Sequence, residues 1–113
     1  MLENFEKNIG YIFKDKNLLK TALTHTSYAY EKKVQSNEKL EFLGDSILEF
    51  ISSNYLYKNY INLNEGEMTK VRASVVCEKS LYKIAIKHNF GDFLYLGKSE
   101  LSNNGNKNEA NSL

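Results

Sequence analysis

Proline and tryptophan are absent from this 113-residue chain, and cysteine occurs once. Without proline the chain lacks the strongest helix breaker, which favours an all-helical fold. A single cysteine, Cys77, excludes an internal disulfide framework and a cysteine-based zinc cluster, and fits a reducing cytoplasm. No apolar run approaches the roughly 20 residues a membrane span needs. The opening Met1-Leu2-Glu3-Asn4-Phe5-Glu6 carries acids where a signal peptide would carry a basic region and an apolar stretch. An excess of charge is also missing: 15 basic residues face 14 acidic ones, for a net charge of +1. A dedicated phosphate binder is usually visibly basic, but the field that matters is local.

What is present suits one soluble domain, at 42% apolar and 26% charged residues. The sequence predicts a short helix over Leu2 to Ile9, closed by Gly10 in a left-handed cap. Leu18, Leu19, Ala22 and Leu23 give residues 17–24 a helical apolar face. Residues 25–35 are polar and mixed and read as a loop, or at most a turn of helix, in which Tyr28 and Tyr30 could pack. Leu40, Leu43, Ile47, Phe50, Ile51 and Tyr55 recur at spacings of three and four and predict one long helix from Asn37 to about Asn62. Ser36 or Asn37 can cap it. Asn64 with Glu67 three residues on resembles a capping box before a helix carrying Met68, Val71 and Val75. Another helix is expected at about Glu78 to His88, ended by Asn89 and Gly91. Phe93 to Leu96 reads as a helical turn or a packed segment. Leu101 to Leu113, rich in Asn and Ser, reads as flexible, and a chain stopping at Leu113 looks cut short.

The most informative segment is Asn37-Glu38-Lys39-Leu40-Glu41-Phe42-Leu43-Gly44-Asp45-Ser46. On a helix, Glu41 and Asp45 sit about 40° apart on one face, one turn above the other. Glu38 and Glu49 extend them into a stripe of four acids. Like charges at this spacing destabilise a helix by a few tenths of a kcal/mol each. On spacing alone such a stripe is ordinarily a solvated face. Two neighbours point beyond that. Phe42 makes the flank apolar, so a partner surface could cover it. Gly44 costs a mid-helix position roughly 1 kcal/mol against Ala, which suggests a backbone packed closely against something. A divalent cation would relieve the repulsion, and Mg²⁺ is typically held by one or two carboxylates plus water and substrate phosphate.

These ten residues resemble the signature of the bacterial ribonuclease III family. Leu23-Thr24-His25-Thr26-Ser27-Tyr28 resembles its Leu-Thr-His-x-Ser-Tyr stretch. Asn64 to Ala73 resembles its Glu-Gly-x-Leu-Thr-x-x-Arg-Ala helix start. Gly91 to Glu100 resembles its Gly-x-x-Leu-x-Leu-Gly-x-Gly-Glu segment, with Ser99 in place of the usual Gly. Essentially the whole chain is covered.

The resemblance implies an all-helical, homodimeric catalytic domain. Its activity would be the hydrolysis of double-stranded RNA with Mg²⁺, or Mn²⁺ as a substitute, in cytoplasmic RNA processing. Glu41 and Asp45 match two of the family's four catalytic metal ligands. Glu38 and Glu65 match acids lining the RNA cut site, and Phe42 matches a residue inserted into a socket on the partner subunit. Positive charge for the RNA backbone must come from elsewhere, with Lys32, Lys33, Lys70, Arg72 and His25 as candidates. Residues 1–113 then read as this catalytic domain, truncated at its C-terminus and without a double-stranded-RNA-binding domain. The other two acids belong to a later stretch resembling Ala-Asp-x-Phe-Glu-Ala, which normally follows Ser112-Leu113 by a few residues. Holding half of the metal site, the chain alone should bind Mg²⁺ weakly and have little nuclease activity. The alternative is a non-catalytic RNA-binding or ribosome-associated member of the same fold, against which intact Glu41 and Asp45 speak.

The remaining singular residues have plain readings. His25, near a helix end, is more often a structural hydrogen-bonding group than a phosphate contact. His88 suits a helix C-terminus. Cys77 reads as a small core residue. Tyr55, Tyr57 and Tyr60 suit core or dimer packing better than base stacking.

Overall fold

The computed structural model describes residues 1–102. Among these the fold is all-helical: α1 (Leu2–Ile9), α2 (Lys16–Ala22), α3 (Thr26–Lys32), α4 (Glu38–Asn59), α5 (Glu65–Val76), α6 (Glu78–Lys87), a 3-10 turn (Phe90–Phe93) and α7 (Lys98–Ser102). The expected helices are present, and each stops where its local chemistry says it should. Gly10 closes α1 at φ 73°. The Asp15 side chain caps α2 by accepting from Asn17 and Leu18 N–H at 3.0 and 3.1 Å. Asn64 and Glu67 form the complete capping box of α5. Asn89, at φ 55°, separates α6 from the 3-10 turn.

Other expectations are met only in part or are corrected. Residues 25–35 are not a loop. His25 Nδ1 accepts from Ser27 N–H at 3.1 Å, which caps a true helix, and Lys33 ends that helix in the left-handed region at φ 56°. Of the two readings of Phe93 to Leu96, the packed segment holds: the 3-10 turn ends at Phe93, the chain then extends, and Phe93, Leu94 and Tyr95 pack against the core. Cys77 is exposed instead of in the core, because it occupies the junction of α5 and α6, with its Sγ near Ser74 O and Ser80 Oγ. Gly44 has no atom within 4 Å of where a Cβ would stand, so close backbone packing does not explain it. Of the stretch expected to be flexible, Leu101 and Ser102 belong to α7, and residues 103–113 lie outside the described part.

The core is small. Phe5, Leu19 and Leu23 form its centre, joined by half-buried Leu2, Ile9, Phe13, Phe90, Phe93, Leu94 and Tyr95. Phe5 meets Phe93 edge-on at 5.4 Å and Phe90 at 5.6 Å. The buried Glu6 carboxylate holds the α1–α2 turn by accepting from Phe13 N–H at 2.6 Å and from Lys16 Nζ. The segment after the 3-10 turn pairs with the α2–α3 loop. Tyr95 N–H donates to Leu23 O at 2.8 Å and His25 N–H to Tyr95 O at 3.0 Å, an isolated parallel bridge at Thr24. From this centre, α4 packs along α5, α5 on α6, and α6 back on the 3-10 turn.

Gly97 brings α7 against α3. Its N–H donates to Ser27 Oγ at 2.8 Å, and Lys98 N–H donates to Glu31 Oε2 at 2.6 Å. A Cβ on Gly97 would overlap the Glu31 carboxylate and stand 2.7 Å from the Ser27 carbonyl oxygen. Gly97→Ala is therefore expected to destabilise the protein by about 1–3 kcal/mol. Gly44→Ala, in open space, should stabilise it by roughly 1 kcal/mol; denaturant melts of the two variants check both signs. The hydrogen bonds from Lys16 and Phe13 hold the Glu6 carboxyl below the usual carboxylate range. That stabilisation is present above the unfolded-state value and is lost as pH falls through the lower folded-state value. Acid titration of stability should show this loss in the native chain and not in Glu6→Gln.

Candidate functional site: an acid-lined cavity on the longest helix

Two of the clefts beside α4 divide the acids between them. The larger, about 650 Å³, is lined by Glu41 and Asp45, by Asn37 at the start of α4, and by Glu78 at the start of α6. Phe5, Leu23, Leu81, Ile84 and Leu94 give it an apolar wall. The mouth of the core thus opens directly onto the two carboxylates. Their spacing on α4 puts both on the face turned to this cavity, as expected.

Loop 23–25 fixes where α4 begins. Asn37 N–H donates to Thr24 O at 2.9 Å, and Asn37 Nδ2 donates to Ala22 O at 3.2 Å. Asn37 spends its side chain on this tie and leaves the capping to Ser36, whose Oγ accepts from Glu38 N–H at 3.3 Å. Of the two residues expected to cap the helix, Ser36 supplies the side-chain bond. The Ser36 hydroxyl also reaches Glu38 Oε1 at 3.3 Å. Glu38 and Glu49 are exposed on α4 and do not line the cavity.

The second cleft, about 460 Å³, lies between α4 and α5. It is lined by Phe50, Ser53, Tyr57, Met68, Glu65 and Arg72. Arg72 Nη1 donates to Ser53 Oγ at 2.9 Å, which holds the guanidinium inside the cleft. Glu65 is thus separated, within one chain, from Glu41 and Asp45. Lys70 is exposed on α5. His25 turns its Nδ1 inward to Ser27, with the hydroxyl at 2.7 Å. His88 sits at the C-terminal cap of α6, as expected, beside Asn8 and stacked on Phe90.

The apolar side of α4 is largely uncovered. Phe42 is 80% exposed, and Leu43, Ile47, Phe50, Ile51, Tyr55 and Tyr57 are all exposed too; Leu56 alone on this helix is buried. Core packing therefore does not account for Tyr55 and Tyr57. Sequence reasoning missed Glu78, Ser53 and Lys20. No motif contains the first two. Only the crossing of α4 with α5 and α6 brings them to the clefts.

Among the described residues no group of three or more His, Cys, Asp or Glu is placed to hold a metal ion. No helix among them is long and apolar enough to cross a membrane.

A model of the family described as Ribonuclease-III-like matches residues 15–111. The chain belongs to the ribonuclease-III-like family. Ribonuclease 3 of Caldanaerobacter subterraneus subsp. tengcongensis is 54% identical over 102 residues, covering 88% of this chain and 45% of that protein. Ribonuclease 3 of Clostridium beijerinckii is 48% identical over 100 residues, covering 88% of this chain and 43% of that protein. The chain therefore spans a little under half the length of these curated relatives. Among solved structures, a nuclease domain of ribonuclease III from Campylobacter jejuni, described for flexibility in the region involved in dimer formation, superposes with a TM-score of 0.87. It shares 42% identity, with 99% of this chain and 77% of that chain covered. Relatives and neighbours of ribonuclease III agree with the helical fold and with the resemblance read in the motifs.

The close pair of carboxylates makes a measurable demand on α4. In metal-free buffer, Asp45→Asn removes two like-charge repulsions at i,i+4, with Glu41 and with Glu49, and is expected to stabilise the protein by a few tenths of a kcal/mol for each. A rise in the thermal midpoint, checked by circular dichroism, is the expected outcome.

Proposed function

We propose that this chain carries the metal-binding helix of an endoribonuclease that hydrolyses double-stranded RNA in cytoplasmic RNA processing, and that it acts as a homodimer. The observation that carries the reading is the Glu41–Asp45 pair, one turn apart on α4 and lining one cavity. Its family membership, with relatives named Ribonuclease 3, supports an enzyme over a purely RNA-binding protein.

The donor set fits Mg²⁺, with Mn²⁺ as a substitute, because such ions take one or two carboxylates and complete their shell with water and substrate phosphate. When bound, the ion supplies Lewis acidity and charge neutralisation for phosphodiester hydrolysis. Glu41 and Asp45 contribute the carboxylate oxygens, and the Asn37 tie to loop 23–25 holds the end of α4 that presents them. Glu38 and Glu65 line the RNA cut site. Glu65 opens onto a different cleft from Glu41 and Asp45, which favours a cut site assembled from two copies. Phe42 is the dimer contact, and its exposure beside a continuous apolar face supports that role. Lys70, Arg72 and His25 are the residues offered to the RNA backbone.

Two measurements test this. Mg²⁺ or Mn²⁺ should raise the thermal midpoint of the native chain and leave Glu41→Gln/Asp45→Asn unmoved; an identical response of the two counts against the metal role. With two carboxylate ligands the 113-residue chain should bind Mg²⁺ weakly and turn over a long duplex RNA little or not at all, and strong metal-dependent cleavage would overturn that half-site assignment. By analytical ultracentrifugation, Phe42→Ala should weaken the dimer by about 2 kcal/mol, near 30-fold in dissociation constant.

A further inference from the structure

A second feature involves the extended segment that pairs with loop 23–25. The rings of Tyr28 on α3 and Tyr95 in the extended segment pack with centroids 5.4 Å apart. Lys20 Nζ stands 5.6 Å over the Tyr95 ring and Lys32 Nζ stands 6.0 Å over the Tyr28 ring. The four side chains form one row, Lys20–Tyr95–Tyr28–Lys32. Both rings are half-buried and both lysines are exposed. Neither ammonium is paired with a carboxylate of the described residues.

The row is fixed to the same loop that fixes α4. Tyr95 is held on both sides by its backbone bonds to Leu23 and His25, while Thr24 O and Ala22 O receive Asn37. The backbone of Tyr95, whose ring carries Lys20, is thus tied to the same loop as the start of α4 where the acid stripe begins.

From this we infer that the Lys20–Tyr95–Tyr28–Lys32 row is a docking surface for the phosphate backbone of duplex RNA, supplying next to the acidic cavity the positive charge that the cavity lacks. The inference rests on the duplex-RNA reading above. A polyanion is repelled by the acid stripe and needs cations close by to stay in register with it. An ammonium resting on a tyrosine face is attracted by the ring and keeps its outward N–H donors for phosphate. Because the rings already restrict the lysines, less side-chain freedom is lost on binding than for free surface lysines. Such contacts position a duplex without reading its sequence, as suits recognition of A-form RNA by shape.

The test is binding of a fluorescently labelled, blunt-ended RNA duplex to the 113-residue chain, followed by anisotropy over a KCl series without divalent metal. Lys20→Gln/Lys32→Gln should make the slope of log K against log [KCl] shallower by roughly 2, with helical circular dichroism unchanged. Lys20→Arg/Lys32→Arg should retain the native slope. Lys79→Gln/Lys83→Gln, removing two exposed lysines of α6, should leave it unchanged. Persisting duplex binding with a native slope in the Lys20/Lys32 glutamine variant overturns the docking surface and leaves the duplex-RNA reading standing. An equal loss of slope in the α6 variant overturns it as well, since the binding would then be diffuse. Failure of the native chain to bind the duplex at the lowest salt overturns both.

Discussion

The structure hinges on loop 23–25. Thr24 is almost fully buried, yet every polar group around it is used: its hydroxyl donates to Lys20 O at 2.6 Å, and its carbonyl accepts from Asn37. On either side Leu23 O and His25 N–H take the backbone of Tyr95. Three residues thereby tie the end of α2, the start of α4 and the segment after the 3-10 turn to one point. A buried backbone whose hydrogen bonds are all made is costly to displace, because any shift leaves a donor or acceptor without water or partner. This is why the first acids of α4 have a defined place despite a core of only a few side chains.

That small core sets the character of the rest. Phe5, Leu19 and Leu23 close one end of the molecule, while the apolar side of α4 and the wall of the larger cavity remain open. Exposed apolar surface of this extent marks places where other surfaces dock. Acids and apolar groups also share the same helix. Glu41 and Asp45 face the cavity, and Phe42 stands clear of the helix between them in sequence. One helix therefore presents both the carboxylate pair and the exposed apolar side.

Much of this was legible in the sequence because the signals are local. A left-handed Gly10, the Asn64–Glu67 box and the spacing of Glu41 with Asp45 each depend on residues within one or two helical turns. The helix α3 was not legible, since its cap is a histidine side chain backed by Ser27 and then by Gly97, 70 residues away. Cys77 was misjudged for a related reason. Apolar neighbours in sequence suggested burial, but the α5–α6 junction turns the thiol outward. Gly44 was legible only as a cost, and the surrounding space shows no packing that repays it.

The amino-acid sequence by itself determined the helical class, the helix limits set by caps, the acid pair on one face of α4 and the family. These follow from the 3.6-residue period and from hydrogen bonds closed within a few residues. Tertiary structure alone decided that Glu65 and Glu41 open onto separate clefts, that Glu78 and Ser53 reach them, and that Lys20 and Lys32 flank one pair of tyrosine rings. Each of those placements depends on where helices cross, and a crossing is fixed by packing between distant segments that no local pattern encodes.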